Sequence, residues 1–114
     1  MPGFNTPEFA ARWQTLTLLE QFGNIGSEVE RALSWTAKEK ADLATSALYR
    51  SLTLIDLTIA DQRRRSAGTL KELTRLREIL CDYFLGGNQY CSSAEFFQQY
   101  FYSFAAAARR KRES

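Results

Sequence analysis

Apolar side chains recur every three or four residues through most of the chain, and nothing alternates at period two for long enough to make a strand. Thr6-Pro7-Glu8 is a strong helix start: a hydroxyl cap, proline at the first helical position, then an acid at the positive end of the helix dipole. From there Phe9, Trp13, Leu16, Leu19, Phe22, Ile25, Val29 and Ala32 keep one phase, which predicts a single helix to about Ala37. Gly23 and Gly26 interrupt it, each at a cost of about 1 kcal/mol relative to alanine. Either the helix breaks there or the glycines admit a close neighbour. The surviving phase favours one continuous helix.

A second helix is expected over Glu39 to Ala60, with Leu48, Leu52, Ile55 and Ile59 as its stripe and Leu43, Ala47 and Leu54 beside it. Asp61 to Gly68 has no period and reads as a loop. Thr69-x-x-Glu72 has the form of a capping box and opens a third helix, which turns Leu70, Leu73, Leu76, Leu80 and Phe84 inward. Gly86-Gly87 ends it. Ser92-x-x-Glu95 is a second candidate box, before a fourth helix that runs to about Arg110. Four helices on short loops predict an all-α, up-and-down four-helix bundle in one domain over residues 1–114, with 1–6 and 110–114 flexible. No second copy of any segment appears near the 34-residue period of helical-hairpin repeats.

The fourth helix carries more rings than one stripe can hold: Phe96, Phe97, Tyr100, Phe101, Tyr102 and Phe104 occupy adjacent as well as i+3 and i+4 positions. Some of that surface is expected to meet another chain, another molecule or a long overlying element. Phe97, Tyr100, Phe101 and Phe104 are the expected contacts of a homo-oligomer. Trp13 and Trp35 are expected in the core or a subunit interface, and Tyr90 is expected to plug its loop onto the bundle.

Charge sharpens this picture. Net charge is +2, but residues 1–61 balance at −3 and residues 62–114 at +5. The cations fall into three sets: Arg63-Arg64-Arg65 in the loop, Lys71, Arg75 and Arg77 on the following helix, and Arg109 to Arg112 at the end. Arg63, Arg64, Arg65, Lys71, Arg75 and Arg77 are the candidate nucleic-acid contacts. Cations hold phosphates, while nearby rings such as Tyr100 and Tyr102 stack on unpaired bases. The competing reading pairs these arginines with Glu72 and Glu78 and leaves the tail as a helix-end cation cluster. Asp56 and Asp61 flank an apolar helix end and are expected to be solvated, with Arg75 or Arg77 as the partner of Asp56 should it be buried.

Histidine is absent, which removes the commonest general base and every Ser–His or Cys–His nucleophile. Gly86-Gly87 follows no strand, so it is no phosphate loop. Two cysteines, Cys81 and Cys91, with no histidine make a tetrahedral metal site improbable, and a reduced pair is expected. No enzyme activity, cofactor, metal or small-molecule substrate is expected. No stretch approaches the roughly 18 uncharged apolar residues of a membrane span, and no secretory signal is visible, so the expected location is cytoplasmic.

In size, helix count and a basic second half carrying Arg63-Arg64-Arg65, Arg75, Arg77 and the basic tail, the chain resembles small four-helix-bundle proteins associated with nucleic acid. These include the 23S ribosomal RNA intervening-sequence proteins and the accessory proteins of diversity-generating retroelements. The resemblance implies a ring-like oligomer that presents a basic surface to RNA and to a reverse transcriptase. The chain is less similar to the helical toxins of prokaryotic toxin–antitoxin pairs. Their ribonuclease motif sets a histidine a few residues after an arginine, and this chain has none. The expectation is therefore a non-enzymatic, self-associating accessory or adaptor protein contacting RNA or DNA. The alternative is a module for a protein partner, antitoxin-like or a scaffold subunit, with no nucleic acid.

Overall fold

The computed structural model describes residues 6–113, and everything described is helix, turn or loop. Five α-helices follow one another: α1 Pro7–Trp13, α2 Leu18–Ala37, α3 Ala41–Ala60, α4 Ala67–Leu85 and α5 Ala94–Glu113. A single 3-10 turn, Gln62–Arg64, links α3 to α4. The all-helical expectation holds, but the helices number five. The expected flexibility of residues 1–5 and 114 lies outside the described residues, whereas Thr6 caps α1 and α5 extends to Glu113.

The fifth helix arises because the chain breaks at Gln14–Thr17, earlier than either glycine. Thr6 caps α1 as expected, its hydroxyl accepting from the Phe9 amide at 3.1 Å. Thr17 then starts α2 with a true capping box: its side chain accepts from the Glu20 amide, and the Glu20 carboxylate accepts from the Thr17 amide. The Thr17–Glu20 box satisfies two orphan donors at the new start, so the break costs little. Gly23 and Gly26 both sit inside a continuous α2.

The two glycines have different jobs. A Cβ on Gly26 would lie 2.8 Å from Phe101 Cγ and Cδ1 of α5, whereas a Cβ on Gly23 would meet nothing within 4 Å. Gly26→Ala should therefore lower stability by about 1–3 kcal/mol through overpacking. Gly23→Ala should raise it by about 0.5–1 kcal/mol through helix propensity. Urea unfolding of the two variants checks the opposite signs.

Other starts shift from the expected boxes, by three residues at α4 and by one at α5. Ser66, not Thr69, caps α4, its hydroxyl accepting from the Thr69 amide. Ser93, not Ser92, accepts from the Phe96 amide at the start of α5. Asn88 has claimed Ser92 instead, bonding both its carbonyl and its amide. The α2–α3 turn has neither glycine nor proline, and Glu39 adopts φ 59° to close it. The Lys40 amide reaches back to the Trp35 carbonyl and the Glu39 amide to the Thr36 carbonyl, the paired bonds of a Schellman ending.

α2 packs along both α3 and α5, and α3 also packs on α4. Phe22, Ile25 and Val29 of α2, Leu48, Leu54 and Ile55 of α3, Leu73 and Leu80 of α4 and Phe97 of α5 fill the centre. Leu43, expected beside the α3 stripe, is exposed instead. Residue pairs fix the helix directions. Phe22 stacks on Phe104 at 4.3 Å, Gly26 abuts Phe101, and Gln98 bonds Glu30, so α5 runs antiparallel to α2. Asp56 pairs with Arg77 while Leu48 lies beside Tyr83, so α4 runs antiparallel to α3, and Tyr100 bonds Glu72 while Phe97 meets Tyr83, so α5 runs antiparallel to α4. No described helix is long and apolar enough to cross a membrane.

Candidate functional site

The antiparallel register gathers the scattered cations at one end of the molecule. The matched levels 22/104, 26/101 and 30/98 carry Arg109 to the level of the first residues of α2. The 3-10 turn with Arg63 and Arg64, the cap residue Arg65, and the first turns of α4 occupy that same end. At the opposite end Lys38 and Lys40 offset Glu39 and Asp42 around the α2–α3 turn, and Asp82 near the end of α4 with Glu95 at the start of α5 leaves that end acidic. The charge asymmetry along the sequence thus becomes an asymmetry in space.

Not all of these cations are available. Arg63 donates to Asp61 at 2.6 Å and to the Leu16 carbonyl at 2.7 Å. Arg64 donates to Gln21 Oε1 at 3.0 Å and to the same Leu16 carbonyl at 3.2 Å. Together they satisfy a carbonyl exposed by the break between α1 and α2. Asp61 is 2% exposed and also accepts from Gln21 and from the Arg63 amide. Its expected solvation is therefore corrected: a carboxylate among apolar helices is held there by bonds to every accessible lone pair. The Arg63 guanidinium holds the Asp61 carboxyl far below the usual carboxylate range, with the Gln21 and Arg63 amide bonds adding to the effect against the opposing pull of burial. Burial, with the neighbouring Arg63 charge, pushes the Arg64 guanidinium down from its usual value.

Arg77 is committed to the carboxylate of Asp56, at 2.8 Å and 3.2 Å through two nitrogens, although Asp56 is solvated as expected and an α4 arginine is its expected partner only in a buried setting. That pair lies on the surface. Arg65, Lys71 and Arg75 are exposed, and among the described residues they make no hydrogen bond or ion pair. Arg109 lies over the Tyr102 ring at 5.9 Å. The six candidate phosphate contacts therefore divide: Arg63, Arg64 and Arg77 hold the fold together, while Arg65, Lys71 and Arg75 face solvent unpaired.

The four rings assigned to assembly divide too. Phe97 is 0% exposed and belongs to the core, where Tyr83 and Phe96 meet it edge-on. Phe104 is stacked on Phe22, and Phe101 occupies the space left by Gly26. Tyr100 is partly buried with its hydroxyl on Glu72, and burial followed by that carboxylate raises its phenol well above the ordinary value. The rings that remain outside are Phe96, 44% exposed, and Tyr102, 59% exposed. A helix pressed between α2 and α4 has two inward faces, which is why α5 hides more rings than a single stripe allows. Trp13 is buried, Trp35 is half-buried under Lys38, and Tyr90 stands exposed with its hydroxyl on Glu78 instead of plugging its loop.

A second carboxylate, Glu28, is buried and bound by Arg50 and Arg31 at 3.1 Å each. Its signal was present in the i, i+3 spacing to Arg31. Both thiols are free, and among the described residues no three metal-ligating side chains come together. Every buried side-chain polar atom described has a partner, so no orphaned group points into a cavity. Comparison of the chain with protein-family models, with curated proteins and with solved structures finds no match.

Proposed function

We propose that the protein is a non-enzymatic adaptor, its long helices α2–α5 forming an up-and-down bundle with α1 appended, which contacts RNA or DNA through its basic end. The observation that carries this reading is the row of unpaired, exposed cations Arg65, Lys71 and Arg75, which starts just before the Ser66 cap and runs down to the middle of α4, with Arg109 and Arg110 of α5 at the end where the row begins. Unpaired cations attract a polyanion and release its counterions, whereas paired ones have little left to give. The buried charges are all consumed by structure, which favours contact over chemistry.

Replacing Arg63, Arg64 and Arg65 together would confuse binding with folding, because two of the three anchor Leu16 and Asp61. The informative variant is Arg65→Ala/Lys71→Ala/Arg75→Ala. Fluorescence anisotropy with labelled RNA over a salt series should show weaker binding and a slope of log affinity against log salt lower by about 2. Absence of RNA and DNA binding by the unaltered protein at physiological salt would overturn the reading in favour of a protein partner. Of the surplus ring surface that argued for self-association, Phe96 and Tyr102 remain outside, Tyr102 beside a groove of about 250 Å³ over Gly23 and Gly26. Light scattering of the intact chain in the same buffers tests that half, and a monomer mass throughout would remove it.

A further inference from the structure

Along the line where α4 meets α5, a shallow cleft of about 90 Å³ is lined by Glu72, Arg75, Leu76, Ile79, Phe96 and Tyr100. It combines an exposed ring, an unpaired cation and a carboxylate already engaged. Phe96 sits on a shelf of other rings. Phe97 meets it edge-on at 5.3 Å, and Tyr100 lies nearly parallel at 6.2 Å. Tyr100 is itself fixed through its hydroxyl to Glu72. The Phe96 ring is therefore held in place with 44% of the residue still facing water. A ring ordered in advance loses little conformational freedom when something settles on it.

We infer that this α4–α5 face binds single-stranded nucleic acid, with Phe96 as the platform on which one unpaired base stacks and Arg75 and Lys71 holding the adjoining phosphates. The inference rests on the nucleic-acid reading above and narrows it to one strand and one ring. Arg75 lines the cleft, and Lys71 precedes it by four residues, which puts the two on one ridge of α4 about 6 Å apart along the axis. Glu72 decides the polarity of the arrangement. A phosphate over the cleft would meet its carboxylate, while a neutral base would not, so the base belongs over Phe96 and the phosphates belong over the ridge. The cleft is too shallow to swallow a base, which lies across its mouth. A duplex cannot use this site, because paired bases already cover one another's faces and only a splayed base offers its face to a side chain.

The test is anisotropy with a fluorescein-labelled single-stranded RNA of mixed sequence and with the same RNA annealed to its complement, for the full chain and for Phe96→Leu and Phe96→Tyr. Leucine keeps the apolar bulk without the ring face, and tyrosine keeps the ring. The expected result is tighter binding of the single strand than of the duplex by the unaltered protein. Phe96→Leu should weaken the single-strand complex roughly tenfold with its salt slope unchanged and duplex binding unaffected, while Phe96→Tyr binds as the unaltered protein does. Single-strand affinity unchanged in Phe96→Leu overturns the stacking role, as does equal weakening in both variants. Equal affinity of the unaltered protein for strand and duplex also overturns it. In each of those cases a salt-dependent complex that is lost in Arg65→Ala/Lys71→Ala/Arg75→Ala leaves the broader nucleic-acid reading standing. Failure of the unaltered protein to bind either RNA removes both.

Discussion

Asp61→Ala should destabilise the protein by about 2–4 kcal/mol, read as a fall in the urea midpoint at neutral pH. The carboxylate is 2% exposed and accepts bonds from the Arg63 side chain and amide and from Gln21. Removing it leaves the Gln21 amide without one acceptor and takes away the cap of the 3-10 turn. The estimate is kept below that for a fully buried pair because the Arg63 side chain is 43% exposed and water screens it. Acid adds a second signature. The folded Asp61 carboxyl titrates below the unfolded value of about 3.9, so both states are ionised at neutral pH and its contribution is then complete. As the pH falls through and below that unfolded value, the unfolded chain takes up the proton first and the contribution is lost. Urea midpoints from pH 5 downward should therefore drop less steeply for Asp61→Ala than for the unaltered protein. Parallel curves would show that Asp61 carries no such linkage.

Trp13→Ala should cost about 3–4 kcal/mol, the scale of a large aromatic deletion. Trp13 is the one buried residue of α1, stacks with Phe9 at 6.1 Å, and donates from Nε1 to Thr58 Oγ1 at 3.0 Å. Its carbonyl accepts from Gln21, so it also ties α1 to the polar cluster around Asp61. Trp13→Phe should recover most of the loss, because packing outweighs one hydrogen bond and Thr58 still donates to the Leu54 carbonyl. Hydrogen exchange should show α1 amides losing protection in Trp13→Ala before those of α2. Unaltered exchange in α1 would mean that something other than Trp13 holds it.

The helical nature of the chain was legible because its apolar spacing persists from Phe9 to Phe104. The same persistence concealed the break at Gln14–Thr17: α1 and α2 turn their apolar sides toward one core, so Trp13, Leu16, Leu19 and Phe22 keep phase across a gap in the helix. Thr17-x-x-Glu20 carries the readable signal of the second start. Capping residues were ambiguous for a different reason. Ser66, Thr69 and Glu72 lie three apart, as do Ser92 and Glu95, and local spacing does not say which hydroxyl takes the amide. Asn88 settled the second case by bonding Ser92 from a loop.

The candidate site was legible as a list of cations and rings but not as a division of labour. Arg63 stands two residues from Asp61, yet its second partner, the Leu16 carbonyl, is 47 residues away. Arg64 likewise depends on Gln21, 43 residues distant. Phe97 and Phe96 are neighbours in sequence and opposites in exposure, because α5 is covered on two sides and open on the third. Only the packing of helices distinguishes an arginine that braces the fold from one left free.

The tight closure at Glu39 bears on how the molecule comes together. It joins the two helices with the most extensive mutual packing, α2 and α3, through a connection of three residues. Bringing such close segments together loses little chain entropy, so this hairpin is the natural folding nucleus, with α5 condensing onto it afterwards. Substitutions at Val29 or Leu48 should then slow refolding, while substitutions at Phe104 should mainly hasten unfolding.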